Sequence, residues 1–417
     1  MIAGAVKPFD VIPASAPERP WLFGLLIAPM AVLSNGVIGG ALAYLLRQQG
    51  VGPARESSIL AFLTLPQTIY FLWSPLTDFW FHRRTWLMIA AAASAAALFA
   101  AFREPSLAAS ATVGLIFLSA CLGQIIVASC GGMMGTLQRE SVRRRASSFY
   151  QAGSLAFGAV AILVLVGLSG RLALRTLGWI TAAMIALPAV AALLAPRQQE
   201  LSPRGFRETR AILWREFKTT FLRVRAIPYL LLVLFPMGSG AMIQLLPGLA
   251  VDYHIDGAQV AWINGVAGAL LMAAGALATT LLPARARAGV IYVTISLANE
   301  AALAILLLGP LRPGVYFAGT VLFLFTIGGC YAGFTAVILE FLGRAGMSGS
   351  GRYSIINSLG NIPVAYMTYL DGRGYARWGA RGLPGIDAVV GGLGGLLLLA
   401  YLLWGTRGST PVSESAS

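Results

Sequence analysis

Apolar residues along this chain gather into runs of about twenty positions separated by short polar stretches, and a helix of that length crosses the roughly 30 Å hydrocarbon core of a bilayer. The runs predict membrane helices near 21–46, 58–78, 85–102, 107–137, 148–170, 176–195, 228–251, 258–282, 288–309, 314–342, 353–371 and 385–405. The first run, opening at Trp21 after Lys7 and Arg19, is too long for the core of a signal peptide and is expected to be a helix of the fold. The longest polar stretch between runs, from about Pro196 to Ile227, leaves six spans on each side. The expected organisation is a six-helix bundle over 1–195, a cytoplasmic linker over 196–227 and a second six-helix bundle over 228–417. Phe206, Leu213, Phe217 and Phe221 recur at helical spacing in the linker, which fits a surface-lying amphipathic helix and a solvated connection equally well.

The two halves repeat. An offset of 207 positions brings Pro29-Met30 onto Pro236-Met237 in the first helix of each half, and Arg145, Ser147 and Gly153 onto Arg352, Ser354 and Gly360 in the fifth. Ser147, Tyr150, Gln151 and Ser154 stand at i, i+3, i+4 and i+7, as do Ser354, Asn357, Ser358 and Asn361. Each set is one polar stripe along a helix. Unpaired polar groups facing lipid cost several kcal/mol, so both stripes are expected to face protein or an interior cavity.

Composition sharpens the picture. Hydrophobic residues make up 57% of the chain and charged ones 11%, against about 25% charged in an ordinary soluble domain. The net charge of +14 sits in the short connections, where it orients helices and attracts anionic lipid, and no nucleic-acid partner is expected. Lys and Arg divide 21 to 9 between the two sides, which predicts that both termini are cytoplasmic. Cys121, Cys130 and Cys330 fall inside apolar runs without a CxxC pair and read as core thiols; no metal or cofactor motif is present in the sequence.

Two parallel six-helix halves joined by a cytoplasmic linker resemble the plan of the major facilitator superfamily. The resemblance implies an all-α integral membrane fold of about twelve helices in two pseudo-symmetric bundles, with a solute site between the halves near mid-bilayer. It also implies alternating access by rocking of one half against the other.

The junction of the second and third helices reads PheLeuTrpSerProLeuThrAsp over 71–78 and then PheTrpPheHisArgArgThrTrpLeu over 79–87. Asp78 followed by Arg83 and Arg84 suits a cytoplasmic latch, with Arg139, Glu140 and Arg143 at the exit of the fourth helix as partners and Glu340 with Arg352 as a counterpart in the second half. The string is similar to the corresponding loop of the bacterial muropeptide permease, acetyl-coenzyme A transporter and siderophore importer group. That resemblance implies an importer in a bacterial inner (plasma) membrane. The chain departs from the group in having Phe81-His82 before the arginines and no acid in the equivalent loop of the second half, Pro283 to Ala288.

Glu300, near the middle of the ninth span, extends a stripe of Tyr292, Ser296 and Asn299. An ionisable group at that depth is costly when charged, which makes Glu300 the leading proton-coupling candidate and protons an expected partner. Candidates for the substrate cavity are Asn35, Gln67 with Thr64 and Tyr70, Gln124, Tyr150, Gln151, Gln244, Asn264, Tyr331 with Thr335, Asn357 and Asn361, neutral donors and acceptors suited to a small polar or amphipathic solute such as a sugar-peptide or siderophore. Glu340 and Asp371 lie near span ends, where charges are expected to reach water.

Three classes of function compete. A proton-coupled secondary transporter, a symporter or permease, fits the repeat and the loop. A transporter-like sensor or scaffold would keep the fold and lose coupling. A membrane-embedded transferase needs converging ionisable groups, whereas His82 and His254 fall on opposite sides and no paired catalytic carboxylates or HExxH motif occur, so no enzyme is expected.

Overall fold

The computed structural model describes residues 19–73, 76–77, 80–135, 137, 140–195, 211, 214–215, 218, 222, 227–282, 287–344 and 350–407. Twelve helical segments follow one another among them. We number these α1 (Leu22–Gln48), α2 (Pro53–Ile69), α3 (Arg83–Ala101), α4 (Ser110–Gly135), α5 (Glu140–Leu168), α6 (Leu174–Leu194), α7 (227–253), α8 (Gly257–Ala278), α9 (Ala288–Leu308), α10 (Pro313–Arg344), α11 (Ser350–Trp378) and α12 (Gly382–Arg407). Among the described residues nine stretches are long and apolar enough to cross a membrane on that ground alone. One of them, Ser358–Leu403, is two helices turned at Gly379–Arg381, whereas α2 is short and α7 is interrupted.

The fold is the expected all-α membrane architecture in two bundles, and several boundaries differ in ways that matter. The second helix begins at Pro53, five residues before the predicted start, because Gly52 is extended and proline fits the first helical turn. This places Glu56 inside the helix. The twelfth begins at Gly382, three residues before the predicted start, and carries Asp387 in its second turn. The seventh is not continuous: it runs Ile227–Leu234, bends, and resumes at Ala241–Leu249. Gly238 and Gly240 in the bend have φ of +56° and +76°, a region open to glycine at little cost. Pro29-Met30, the repeat counterpart of Pro236-Met237, stays helical, so the shared dipeptide does not make the bend. The linker falls almost wholly outside the described residues, and its predicted amphipathic helix with it.

Within the bilayer, apolar side chains gain little by leaving lipid, so small residues that admit close backbone contact decide which helices meet. In the first bundle α1 and α5 touch backbone to backbone at Gly24 and Gly153; in the second, α8 and α10 do so at Gly275 and Gly328. Between the bundles α2 lies along α11, α5 along α8, and the ends of α1 and α7 meet. The α2–α11 approach is close enough at Gly372 that a methyl group there would overlap the Ser57 hydroxyl.

Candidate functional site

Helices alternate in direction, so the ends of α1, α7 and α11 and the start of α2 share the face opposite the described termini, here the distal face. Four polar side chains converge there. Arg47, at the end of α1, donates through Nη2 to Asp252 Oδ1 at 3.3 Å and Oδ2 at 3.2 Å and to the Tyr375 hydroxyl at 3.2 Å. The Tyr375 hydroxyl in turn donates to Asp252 Oδ1 at 2.7 Å, and the guanidinium lies over the Tyr375 ring, 5.1 Å from its centroid. Glu56 stands 3.8 Å from Arg47 Nε, with side-chain exposures of 10% for Arg47 and 4% for Glu56. Its carboxylate rests on Gly248 of α7, where a Cβ would collide with it. Two residues of the first bundle and two of the second thus share one ion-paired knot, and shielding from water strengthens its charge-assisted bonds.

Deeper in the membrane the bend of α7 exposes backbone groups that a straight helix would pair, and three of the four described partners come from neighbouring helices, the fourth being Ser239 of the bend itself. The Tyr366 hydroxyl of α11 donates to Leu234 O at 2.8 Å, and the Tyr292 hydroxyl of α9 donates to Met237 O at 3.3 Å. Gly238 N donates to Glu300 Oε1 at 3.0 Å, and Ala241 N to Ser239 Oγ at 3.2 Å. Broken backbone at this depth persists only where protein satisfies it. Glu300 therefore holds the bent helix through one oxygen; the other, Oε2, is buried without a partner.

Other predicted residues divide between the bundle interface and bundle interiors. At the interface, Thr64 Oγ1 of α2 donates to Gln244 Oε1 of α7 at 3.4 Å, and Asn361 Nδ2 of α11 donates to Gln67 O of α2 at 3.4 Å. Tyr331 of α10 lies against Gly240 in the bend, and Gln151 is exposed. Asn35, also exposed, donates to Ser154 O at 3.2 Å and Oγ at 3.0 Å and so ties α1 to the polar stripe of α5. Asn264 does not join this group: its amide donates to the Tyr316 hydroxyl at 2.8 Å, which donates on to Leu246 O at 2.9 Å inside the second bundle. Gln124 and Tyr70 are buried, and Tyr150 packs against the apolar core.

Of the predicted cytoplasmic latch, Arg83 donates to Gly132 O and Arg84 to Ala195 O at 3.3 Å, joining α3 to the ends of α4 and α6 within one bundle. Asp78 and Arg139 lie outside the described residues, as do the side chains of Glu140, Arg143, Glu340, Arg352 and Asn357.

Asp371 overturns its expectation. It is fully buried, with neither carboxylate oxygen partnered. Sequence reasoning also passed over Arg47, Glu56, Asp252, Tyr375 and Asp387. Their charge or polarity at a helix end reads as ordinary solvation until the facing helix is known. An overlooked signal is the scarcity of acids: only 16 Asp and Glu occur in 417 residues, so each one inside a span merits a search for its neighbour.

A family model described as Major Facilitator Superfamily matches residues 24–365. No curated protein matches the chain in sequence. Among solved structures, a peptide transporter POT in complex with sulfate aligns with TM-score 0.71 at 14% identity, covering 94% of this chain and 98% of that one. The nucleoside transporter NupG aligns with TM-score 0.69 at 13% identity, covering 94% and 99%. A D-xylose-proton symporter aligns with TM-score 0.67 at 14% identity, covering 91% and 95%. At such identities these likenesses bear on the fold alone.

Proposed function

The chain belongs to the Major Facilitator Superfamily, and from that premise we propose that it is a secondary active transporter. It carries a small polar or amphipathic solute across a bacterial inner membrane by alternating access and couples import to protons. The Lys and Arg partition puts the described termini in the cytoplasm and the distal face in the periplasm. The observation that carries the reading is the Arg47–Asp252–Tyr375–Glu56 knot, a polar latch between two bundles at one face. A carrier that rocks needs contacts that are strong when closed and replaceable by water when open, and ion pairs shielded in one state and hydrated in the other meet both needs.

Thr64, Gln67, Gln244, Tyr331 and Asn361 supply neutral hydrogen-bonding groups along the bundle interface, as a polar uncharged or zwitterionic solute requires. The resemblance of the loop 71–87 to the muropeptide permease, acetyl-coenzyme A transporter and siderophore importer group puts sugar-peptides and siderophores first among the solutes to try. Glu300 is the coupling residue: its carboxylate holds the α7 bend, so a proton gained or lost there acts directly on an interface helix.

The test is uptake into proteoliposomes under an imposed pH gradient with a panel of sugar-peptides, siderophores, nucleosides and short peptides. Gradient-driven accumulation of one class is expected. Glu300→Gln should abolish driven uptake and spare solute exchange; unchanged driven uptake in that variant rejects the coupling role, and failure of every solute class rejects the carrier.

A further inference from the structure

Glu300 is not the only buried acid of the second bundle. A methyl group on Gly391 of α12 would collide with the Glu300 carboxylate, so this helix face abuts it. Asp387 stands one turn before Gly391 on the same face. Across the α11–α12 hairpin, whose backbones meet at Gly374 and Gly382, Asp371 sits opposite Asp387. The three carboxylates act on one another electrostatically. They form a column from mid-membrane at Glu300, through Asp387, to Asp371, which is one turn from Tyr375 in the distal knot.

Among the described residues no positive charge is paired with this column. Asp371 is fully buried with both oxygens unpartnered, and one oxygen each of Asp387 and Glu300 is likewise buried and unpartnered. The described salt bridges are Arg47's, and neither reaches the three acids. The titratable groups that face them are Tyr292 and Cys330 beside Glu300 and Tyr366 beside Asp387, none of which carries positive charge. At the 207-residue offset the first bundle has Ala93, Val164 and Ile180, so the repeat does not require acids at these positions. Unsatisfied carboxylates in hydrocarbon must take up a cation. Among the described residues no three or more His, Cys, Asp or Glu are grouped to hold one metal ion, and a proton is the cation that each carboxyl can bind singly.

Resting on the reading of Glu300 as the coupling group, we propose that Asp371, Asp387 and Glu300 are a proton-binding column that loads from the distal face and ends on the bent backbone of α7. A distal depression of about 530 Å³, lined in part by Pro53, Arg55, Tyr375 and Gly379, brings water to the turn of α11 that follows Asp371. Protons enter at Asp371, pass to Asp387, and reach Glu300. A proton taken up on the free Oε2 removes the negative charge that strengthens the Gly238 N–H bond to Oε1, which loosens the bend and links proton loading to movement of the helix that carries Gln244 and Asp252.

The wild-type protein in lipid vesicles tests this without a solute. Dicyclohexylcarbodiimide, which attacks protonated carboxyl groups in apolar surroundings, should modify positions 300, 371 and 387, as mapped by peptide mass spectrometry, and the modification should fall several-fold as the medium is made alkaline. Asp371→Asn should slow modification of Glu300, whereas Glu300→Gln should leave modification of Asp371 unchanged. Reaction at Glu300 with none at Asp371 and Asp387 overturns the column and leaves Glu300 as a lone coupling group. Protection of all three by sodium ions at fixed pH overturns the proton assignment in favour of a sodium site. Because the labelling needs no transported solute, failure of every solute in the uptake panel leaves it unaffected.

Discussion

Arg47 and Asp252 face each other across the two bundles, one guanidinium nitrogen reaching both carboxylate oxygens at 3.3 and 3.2 Å. Arg47 ends α1, Asp252 ends α7, and these are the helices that begin the two repeats. The pair is partly shielded, with side-chain exposures of 10% and 21%. Hydrogen bonds to a charged group in such a setting contribute about 1.5–3 kcal/mol. Arg47→Gln keeps length and one donor and removes the charge. Loss of about 2 kcal/mol from the distal-closed state changes its population ratio to distal-open roughly 30-fold. Thiol labelling of a cysteine placed at Ala54, in a background without native cysteines, should accelerate accordingly; unchanged labelling means the pair does not hold the face shut.

The α2–α11 seam gives a second prediction. Ser57 lies where a side chain on Gly372 would have to go. Gly372→Ala should force the helices apart and lower stability by about 1–3 kcal/mol, the usual cost of overpacking. Adding Ser57→Gly should recover most of that loss by removing the obstructing hydroxymethyl group. A thermal unfolding cycle over the two single variants and the double variant measures the coupling, and simple additivity argues against close contact at this point.

Asp387 separates a binding role from a structural one. Replacing a buried polar group by an apolar one of similar shape is often neutral or stabilising, and functional groups are commonly kept at a cost in stability. Asp387→Leu should therefore hold or raise the melting temperature while gradient-driven uptake is lost. A brace would behave oppositely, with a clear fall in melting temperature and uptake reduced only in proportion to folded protein.

The two-bundle fold was legible because membrane helices declare themselves by length and apolarity, properties local to each segment. The 207-residue repeat added topology, and Glu300 stood out because an ionisable group in mid-span is costly when charged. The distal knot was not legible for the converse reason. Arg47 and Asp252 are 205 residues apart, and each by itself resembles a solvated helix end. Asp371 misled in the same way: seven residues from the end of α11, it would reach water on an isolated helix, but in the packed bundle it is fully buried. Burial near a span end is a property of the neighbouring helix, which local sequence does not report. The break in α7 was hidden because its determinants, Gly238 and Gly240, are residues that membrane helices use freely for close packing.

That break yields the last prediction. Gly238 adopts φ +56°, and its missing side chain leaves room for Ser296 Oγ and Cys330 Sγ. Gly238→Ala meets both obstacles, a left-handed backbone and a filled space, and a strained residue of this kind costs about 1–3 kcal/mol. The chain can escape by straightening α7 into a continuous helix, as its repeat counterpart at Pro29-Met30 does. Straightening withdraws the Gly238 N–H from Glu300 and leaves the Tyr292 and Tyr366 hydroxyls without their carbonyl acceptors. The variant should thus lose stability and also uncouple, with solute exchange retained and driven uptake lost, as in Glu300→Gln. Distances from spin labels on Leu230 and Ala250 report the path: lengthening in Gly238→Ala identifies the bend as the element on which the carboxylate acts, whereas unchanged distances with unchanged coupling would leave the bend a packing feature alone.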